Sequence, residues 1–314
     1  MKKRHIVKKK KRILITGVTG FIGRSLWRYL KDRNSSYEVF GVSRQGGDSD
    51  FKVMSCDLTH QSKFLILLKS LRPDYIFHFA GGRLSDEEKT FKANMLTTKS
   101  LFQAIEKMPD YHPRVIIPGT AAEYGHMSHN HVRVKESLPA FPVSWYGFTK
   151  FLQTSMALLY AKKGLNIVVA RMFNIMGYGV PSNLSIGRFA KEIVLIEKGL
   201  KHAEIETRNL DGKRDFLDID DVSEALLLLM ELGQSGEIYN ICSGHSYIIR
   251  DLLRRLVTYS RTKGIHVREN KDISSESHDI VGCNEKIRKT THWQPSIKVD
   301  ESLKRSLTYY RESL

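Results

Sequence analysis

Short apolar runs alternate with amphipathic stretches through the first half of the chain. Ile13 to Ile15, Tyr37 to Val42, Val53 to Leu58, Pro73 to Ala80, Val115 to Thr120 and Asn166 to Arg171 are too short for helices. They read as strands, several of them apolar at consecutive positions, as strands covered on both faces are. Between them, Arg24 to Asp32 places Leu26, Trp27 and Leu30 at helical spacing, and Asp86 to Lys107 and Tyr146 to Lys163 are helical by the same pattern. This alternation predicts an α/β fold with a Rossmann-type, doubly wound parallel sheet. Beyond residue 172 the alternation loosens into a loop with Gly177, Gly179 and Pro181, a helix from Ile186 to Glu197 and a short strand at Glu204 to Glu206. The expected organisation is a tail over 1–11, a main domain over 12–172 and a smaller lobe over 173–314, with segments near 221–242 returning to the main domain.

Composition refines this picture in three places. With 314 residues and 41% apolar content, the chain can bury a sizeable core. The net charge of +16 is concentrated at the start, where Lys2, Lys3, Arg4, Lys8, Lys9, Lys10, Lys11 and Arg12 supply eight positive charges. That pattern reads as a solvated, disordered tail, so no specific nucleic acid is expected. Cys56, Cys242 and Cys283 are widely separated, without metal-ligand spacing, which fits a reduced, cytoplasmic setting. No run approaches the length of a spanning helix, so no membrane partner is expected. His126, His129 and His131 are read as part of a polar flap, and no metal is expected.

The first strand runs into Thr16-Gly17-Val18-Thr19-Gly20-Phe21-Ile22-Gly23. Gly17 allows a sharp turn, Gly20 a close approach of backbone N–H groups to a pyrophosphate, and Gly23 the packing of helix on strand, so that the helix N-terminus faces phosphates. Thr19, Phe21 and Ile22 belong to the same cofactor turn. Past the second strand an acidic residue would accept from the adenosine ribose and select NAD, but this chain has Ser43-Arg44, which suits a 2′-phosphate and favours NADP(H) over NAD(H). The other reading of Arg44 is a solvated loop charge. The third strand ends at Asp57-Leu58, where Asp57 either faces the cofactor or caps the helix near Gln61. Phe79-Ala80-Gly81 ends the next strand in small residues that leave room for a dinucleotide, and the buried His78 reads as scaffold.

Thr120 stands at the C-terminal end of its strand, the edge where ligands bind in open parallel sheets. Tyr146 and Lys150 lie one helical turn apart on one face. Hydride transfer to a carbonyl leaves charge on oxygen and needs a poised proton donor, a role Tyr146 can fill with Lys150 and an oxidised nicotinamide together lowering its pKa. Lys150 can also reach the nicotinamide ribose, and the Thr120 hydroxyl can hydrogen-bond the reacting oxygen.

These residues, in this order, resemble the extended short-chain dehydrogenase/reductases of the nucleotide-sugar epimerase/dehydratase group. Arg171-Met172-Phe173-Asn174, Asn209 to Phe216 and Gly236 to Gly244 are most similar to the GDP-4-keto-6-deoxy-D-mannose reductases. The resemblance implies Thr120, Tyr146 and Lys150 as catalytic residues, Asp57 reaching the adenine and Asn94 bracing the active-site backbone on the cofactor side. It further implies Asn174 at the sugar diphosphate, Arg214 on its phosphates, and Arg188 and Arg250 toward the nucleotide end, the last two reading equally as solvated helix charges. The implied activity is NADPH-dependent reduction of the 4-keto group of a nucleotide-linked 4-keto-6-deoxy sugar by a homodimer. An NAD-dependent 4-epimerase is the alternative within enzymes, and a non-catalytic dinucleotide- or RNA-binding protein the alternative outside them. Ala121 and Ala122 stand where dehydratases of the group carry acidic residues, which disfavours elimination of water. Trp145 and Gly177-Tyr178-Gly179 also depart from the reductase pattern.

Overall fold

The structure is a computed structural model and describes residues 10–33, 37–47, 53–125, 133–270 and 279–314. Its first half contains β1 (Lys11–Thr16), α1 (Phe21–Asp32), β2 (Tyr37–Ser43), β3 (Val53–Ser55), α2 (Gln61–Leu71) and β4 (Tyr75–His78). There follow α3 (Glu87–Phe91), a π-helical turn (Lys92–Leu96), α4 (Thr97–Glu106), β5 (Arg114–Thr120), α5 (Trp145–Lys162) and β6 (Ile167–Met172). The second half adds β7 (Asn174–Met176), α6 (Ser185–Glu197), β8 (Glu204–Thr207), β9 (Lys213–Arg214), β10 (Phe216–Asp218) and α7 (Ile219–Leu232). It closes with β11 (Ile238–Ile241), β12 (Tyr247–Ile248), α8 (Ile249–Thr258), β13 (His266–Glu269), α9 (Glu285–Thr291) and α10 (Val299–Ser313).

One seven-stranded sheet has the order β11-β6-β5-β4-β1-β2-β3, with every pairing parallel. Successive strand residues face opposite sides of a sheet, so a strand buried on both faces must be apolar throughout. In β1, Ile13 and Ile15 join a core with Leu26, Trp27 and Leu30 of α1 and Val222 and Leu226 of α7. Leu14 joins the opposite core, with Phe64 and Leu68 of α2, Leu101 of α4 and Ala157 of α5. A third core, built from Phe189 and Ile193 of α6, Leu252 and Leu256 of α8 and Leu303 and Leu307 of α10, defines the smaller lobe.

The chain leaves β1 toward one edge of the sheet and β4 toward the other, so a crevice opens between their C-terminal ends, the switch point at which such folds bind ligands. In the second half, α7 packs on α1, and β11 pairs with β6. Three features differ from the sequence reading. Lys11, read as the end of the tail, is the first residue of β1, and its ammonium donates to the Tyr75 hydroxyl at 2.8 Å. Ile287 of α9 and the following Trp293 belong to the sheet's core rather than to the smaller lobe. The amphipathic stretch 86–107 is not one helix, because the π-helical turn separates α3 from α4 and carries Asn94, which is fully buried.

Candidate functional site

The turn after β1 is shaped for glycine. Gly17 has φ +65°, and a Cβ on it would lie 2.6 Å from the Phe79 carbonyl oxygen. A Cβ on Gly23 would lie 2.4 Å from the Gly17 oxygen. Gly20 is the N-cap of α1 and has no side-chain cap. Between Thr19 and Gly23 the chain therefore presents first-turn N–H groups beside a backbone that no side chain crowds, and this cradle fits a pyrophosphate. The Thr16 hydroxyl accepts from the Ala80 N–H at 3.1 Å and fastens the end of β4 to the turn. Phe79 and Ala80 are half-buried, and Gly81 is exposed. A cavity of about 800 Å³ touches Thr19, Gly20 and Phe21, but it runs along α1 past Arg24 and Arg28 toward Arg305 and reaches none of Thr120, Tyr146 and Lys150.

At the adenosine end, Ser43 donates to the Gly46 carbonyl at 3.0 Å, and Arg44 is exposed just past β2. Asp57 is engaged locally, accepting from the Thr59 N–H at 3.0 Å and the Thr59 hydroxyl at 2.7 Å, which hold its carboxyl below the usual range. Those bonds close a turn, whereas the N-cap of α2 is His60 without a side-chain cap. Leu58 is buried in the sheet's core. The His78 ring bridges Thr16 at 3.0 Å and Thr97 at 3.3 Å, and burial lowers its pKa to about 3, so it is a neutral scaffold group.

Thr120 ends β5, and Tyr146 and Lys150 stand on α5, which packs on β5 and on the turn after it. The Thr120 hydroxyl lies near the Tyr146 phenol. Burial, with the charge of Glu123 next, pushes Tyr146 up to about 12. The nearby Thr120 hydroxyl and Arg83 oppose that rise. The buried Lys150 ammonium donates to the Gln153 side-chain oxygen. Burial lowers Lys150 to about 8, and Glu123 works against that fall. Asn94 grips the backbone after β4, accepting from the Gly82 N–H at 2.8 Å and donating to the Gly82 carbonyl at 3.2 Å and to the Thr149 hydroxyl at 3.0 Å.

Sequence reasoning missed the support beneath Thr120. Glu123 is buried and accepts from the Thr120 N–H at 2.7 Å through one oxygen and from Arg171 at 2.8 Å through the other. With both oxygens engaged, Glu123 holds the Thr120 turn and is not a free acid. Arg83, an isolated cation after a glycine pair, gives no sequence signal.

The substrate candidates divide into two groups. Asn174 and Arg214 flank buried Asp215, and the Asn174 amide donates to the Asp215 carbonyl at 2.9 Å. The Asp215 carboxylate takes the Ser243 hydroxyl at 2.6 Å and the N–H groups of Ser243, Gly244 and Gly282, joining the start of the smaller lobe to the loop after β11. Arg214 is half-buried, donates to the Lys213 carbonyl at 2.7 Å and has its pKa lowered by burial against the pull of Asp279. Arg188 and Arg250 are engaged elsewhere: Arg188 bonds Glu192 at 3.0 Å and the Glu206 carbonyl at 2.8 Å, and Arg250 bonds Asp211 at 2.7 Å and Glu269 at 2.8 Å. His126, His129 and His131 lie outside the described residues.

Residues 13–242 match the NAD dependent epimerase/dehydratase family. The chain is 28% identical to a GDP-6-deoxy-D-mannose reductase of Pseudomonas aeruginosa, over 95% of this chain and 96% of that one. It is 28% identical to a dTDP-6-deoxy-L-talose 4-dehydrogenase (NAD(P)(+)) of Kitasatospora kifunensis, over 79% of each. The solved structure of RMD from Pseudomonas aeruginosa complexed with NADPH superposes with a TM-score of 0.87 at 26% identity, covering 97% of this chain and 100% of that one.

Proposed function

This chain belongs to the NAD dependent epimerase/dehydratase family, and within it we propose an NADPH-dependent reductase of the 4-keto group of a nucleotide-linked 4-keto-6-deoxy sugar. The carrying observation is Thr120 at the C-terminal end of β5 with Tyr146 beside it on α5, one helical turn before Lys150. Ala121 and Ala122 offer no acid or base for eliminating water, and Glu123 is committed to Thr120 and Arg171. A reduced nicotinamide, when bound, supplies the hydride. The chain's own part is to orient the substrate carbonyl with the Thr120 hydroxyl and to deliver the Tyr146 proton to its oxygen, where charge develops. A Tyr146 pushed up to about 12 keeps that proton until the oxygen becomes basic.

Gly17, Gly20 and Gly23 would seat the pyrophosphate, and exposed Arg44 beside Ser43 supports NADP(H) over NAD(H). Arg214 and Asn174 are the proposed diphosphate ligands, since a guanidinium binds phosphate oxygens in pairs. Exposed Phe148 and Leu159 on α5 support a homodimer packed through that helix. Incubating the chain with NADPH and GDP-, dTDP-, UDP- and CDP-linked 4-keto-6-deoxy sugars tests the reading. NADPH oxidation with one of these sugars is the expected result, and no oxidation with any of them refutes it.

A further inference from the structure

Gln153 lies one turn beyond Lys150 on α5, is fully buried, and takes the Lys150 ammonium on its side-chain carbonyl. The orientation of its amide follows from the other contacts. Its NH₂ group donates to the Thr98 hydroxyl at 2.6 Å and to the Asn94 main-chain carbonyl at 3.3 Å. Thr98 also donates to that carbonyl, at 2.7 Å. A main-chain carbonyl can only accept, and an ammonium can only donate. Reversing the amide would place its NH₂ against the Lys150 ammonium and its oxygen against the Asn94 oxygen, breaking both contacts. Only one orientation satisfies every group, and it aims the oxygen at Lys150.

We propose that Gln153 is a positioning residue for Lys150, a neutral acceptor locked onto α4 that sets where the ammonium stands and ties it to Asn94. Asn94 already holds Gly82 and Thr149. The end of β4, the π-helical turn and the Lys150 side chain thus form one connected polar network. The inference rests on the reductase reading only for its catalytic consequence, because the network itself is a property of the fold.

The charged and titratable groups that face Lys150 from the neighbouring elements are Glu123 after β5, which favours the ammonium, and His78 of β4, whose own proton Lys150 disfavours. Against that fixed background, the residue at 153 has a predictable sign. Leucine removes the acceptor and leaves a buried ammonium with less support, so Lys150 should lose its proton at lower pH. Glutamate keeps the shape and adds a charge, so Lys150 should hold its proton to higher pH. Each shift should be about one pH unit, the scale of one charge-assisted hydrogen bond.

The test is an NMR titration of the full chain, without ligand, carrying lysine ¹³C-labelled at Cε, in the parent, Gln153→Leu and Gln153→Glu. The Lys150 resonance, assigned by its absence in Lys150→Met, should titrate near pH 8 in the parent and move down and up, respectively, in the two variants. The lysine-dependent limb of the kcat–pH profile for keto-sugar reduction should move with it, and kcat for Gln153→Leu should fall about tenfold. A merely structural role would move both titrations the same way or not at all, and either outcome overturns the proposal. Gln153→Glu, nearly isosteric, decides alone if the leucine variant does not fold. Opposite shifts in a chain that reduces no keto sugar support the Gln153 assignment and refute the reductase reading.

Discussion

Replacing Glu123 with Gln should destabilise the fold more than almost any other single-atom exchange near the site. The Glu123 and Arg171 side chains are 0% and 3% exposed, and they meet at 2.8 Å. Arg171 also stacks 4.5 Å from the centre of the Tyr124 ring, and its Nε already has no hydrogen-bond partner. A Gln at 123 can still accept from the Thr120 N–H, but it removes the charge facing the guanidinium or turns an NH₂ toward it. Removing one partner of a buried pair costs about 3 to 5 kcal/mol, because the other charge stays desolvated and unmatched. At roughly 2.1 cal/mol/K of unfolding entropy per residue, the whole chain loses about 5 to 8 °C of Tm. Replacing both partners, Glu123→Gln with Arg171→Met, should recover most of that loss, since no charge is then stranded. Thermal unfolding by circular dichroism over the four-member cycle reads the coupling. A single variant within one degree of the parent, or a double variant no better than the single, would refute the account of how Thr120 is held.

Arg44→Asp should weaken NADPH binding by about 1.5 to 3 kcal/mol while leaving NADH nearly unchanged, and equal losses by fluorescence titration would withdraw the 2′-phosphate assignment. Gly17→Ala should reduce NADPH affinity at least about tenfold or unfold the chain, because φ +65° and a Cβ 2.6 Å from a fixed carbonyl oxygen cannot both be relieved; wild-type affinity in a folded variant counts against the cradle. Lys150, lowered to about 8 by burial, is neutral in the fold but protonated in the unfolded chain above that pH. Stability of the parent relative to Lys150→Met should therefore rise from about pH 8 toward the unfolded value near 10.5, and a flat difference across that window would contradict the buried assignment.

The parts of the fold legible in the sequence are those whose physics is local. Ile13-Leu14-Ile15 must be apolar on both sides to sit in a covered strand, and the glycine spacing follows from a turn whose contacts lie within a few residues and at the end of β4. Tyr146 and Lys150 share a helix, so their spacing alone brings them together. What was not legible depends on partners far apart in the chain. Arg171 closes against Glu123 across 48 positions, and Asp215 collects donors from two loops beyond it. The π-helical turn around Asn94 leaves the pattern of a continuous amphipathic helix intact, so periodicity cannot reveal it. Arg188 and Arg250 show the reverse case, in which an arginine type suited to phosphate also finds carboxylates within its own lobe, at Glu192 for one and at Asp211 and Glu269 for the other. The Gln153 contact of Lys150 was hidden for a related reason, since a buried Gln three residues on carries no charge to mark it as the ammonium's partner.

The most direct test of the central claim compares Tyr146→Phe with the parent in NADPH-dependent reduction of GDP-4-keto-6-deoxy-mannose, with NADPH affinity measured on both. The substitution keeps the ring and removes only the hydroxyl near Thr120. General acid catalysis is worth about 100- to 10,000-fold. The account predicts a fall of kcat in that range with NADPH binding unchanged. A Tyr146→Phe variant that reduces the sugar at the parent's rate would contradict it and place the proton donor elsewhere.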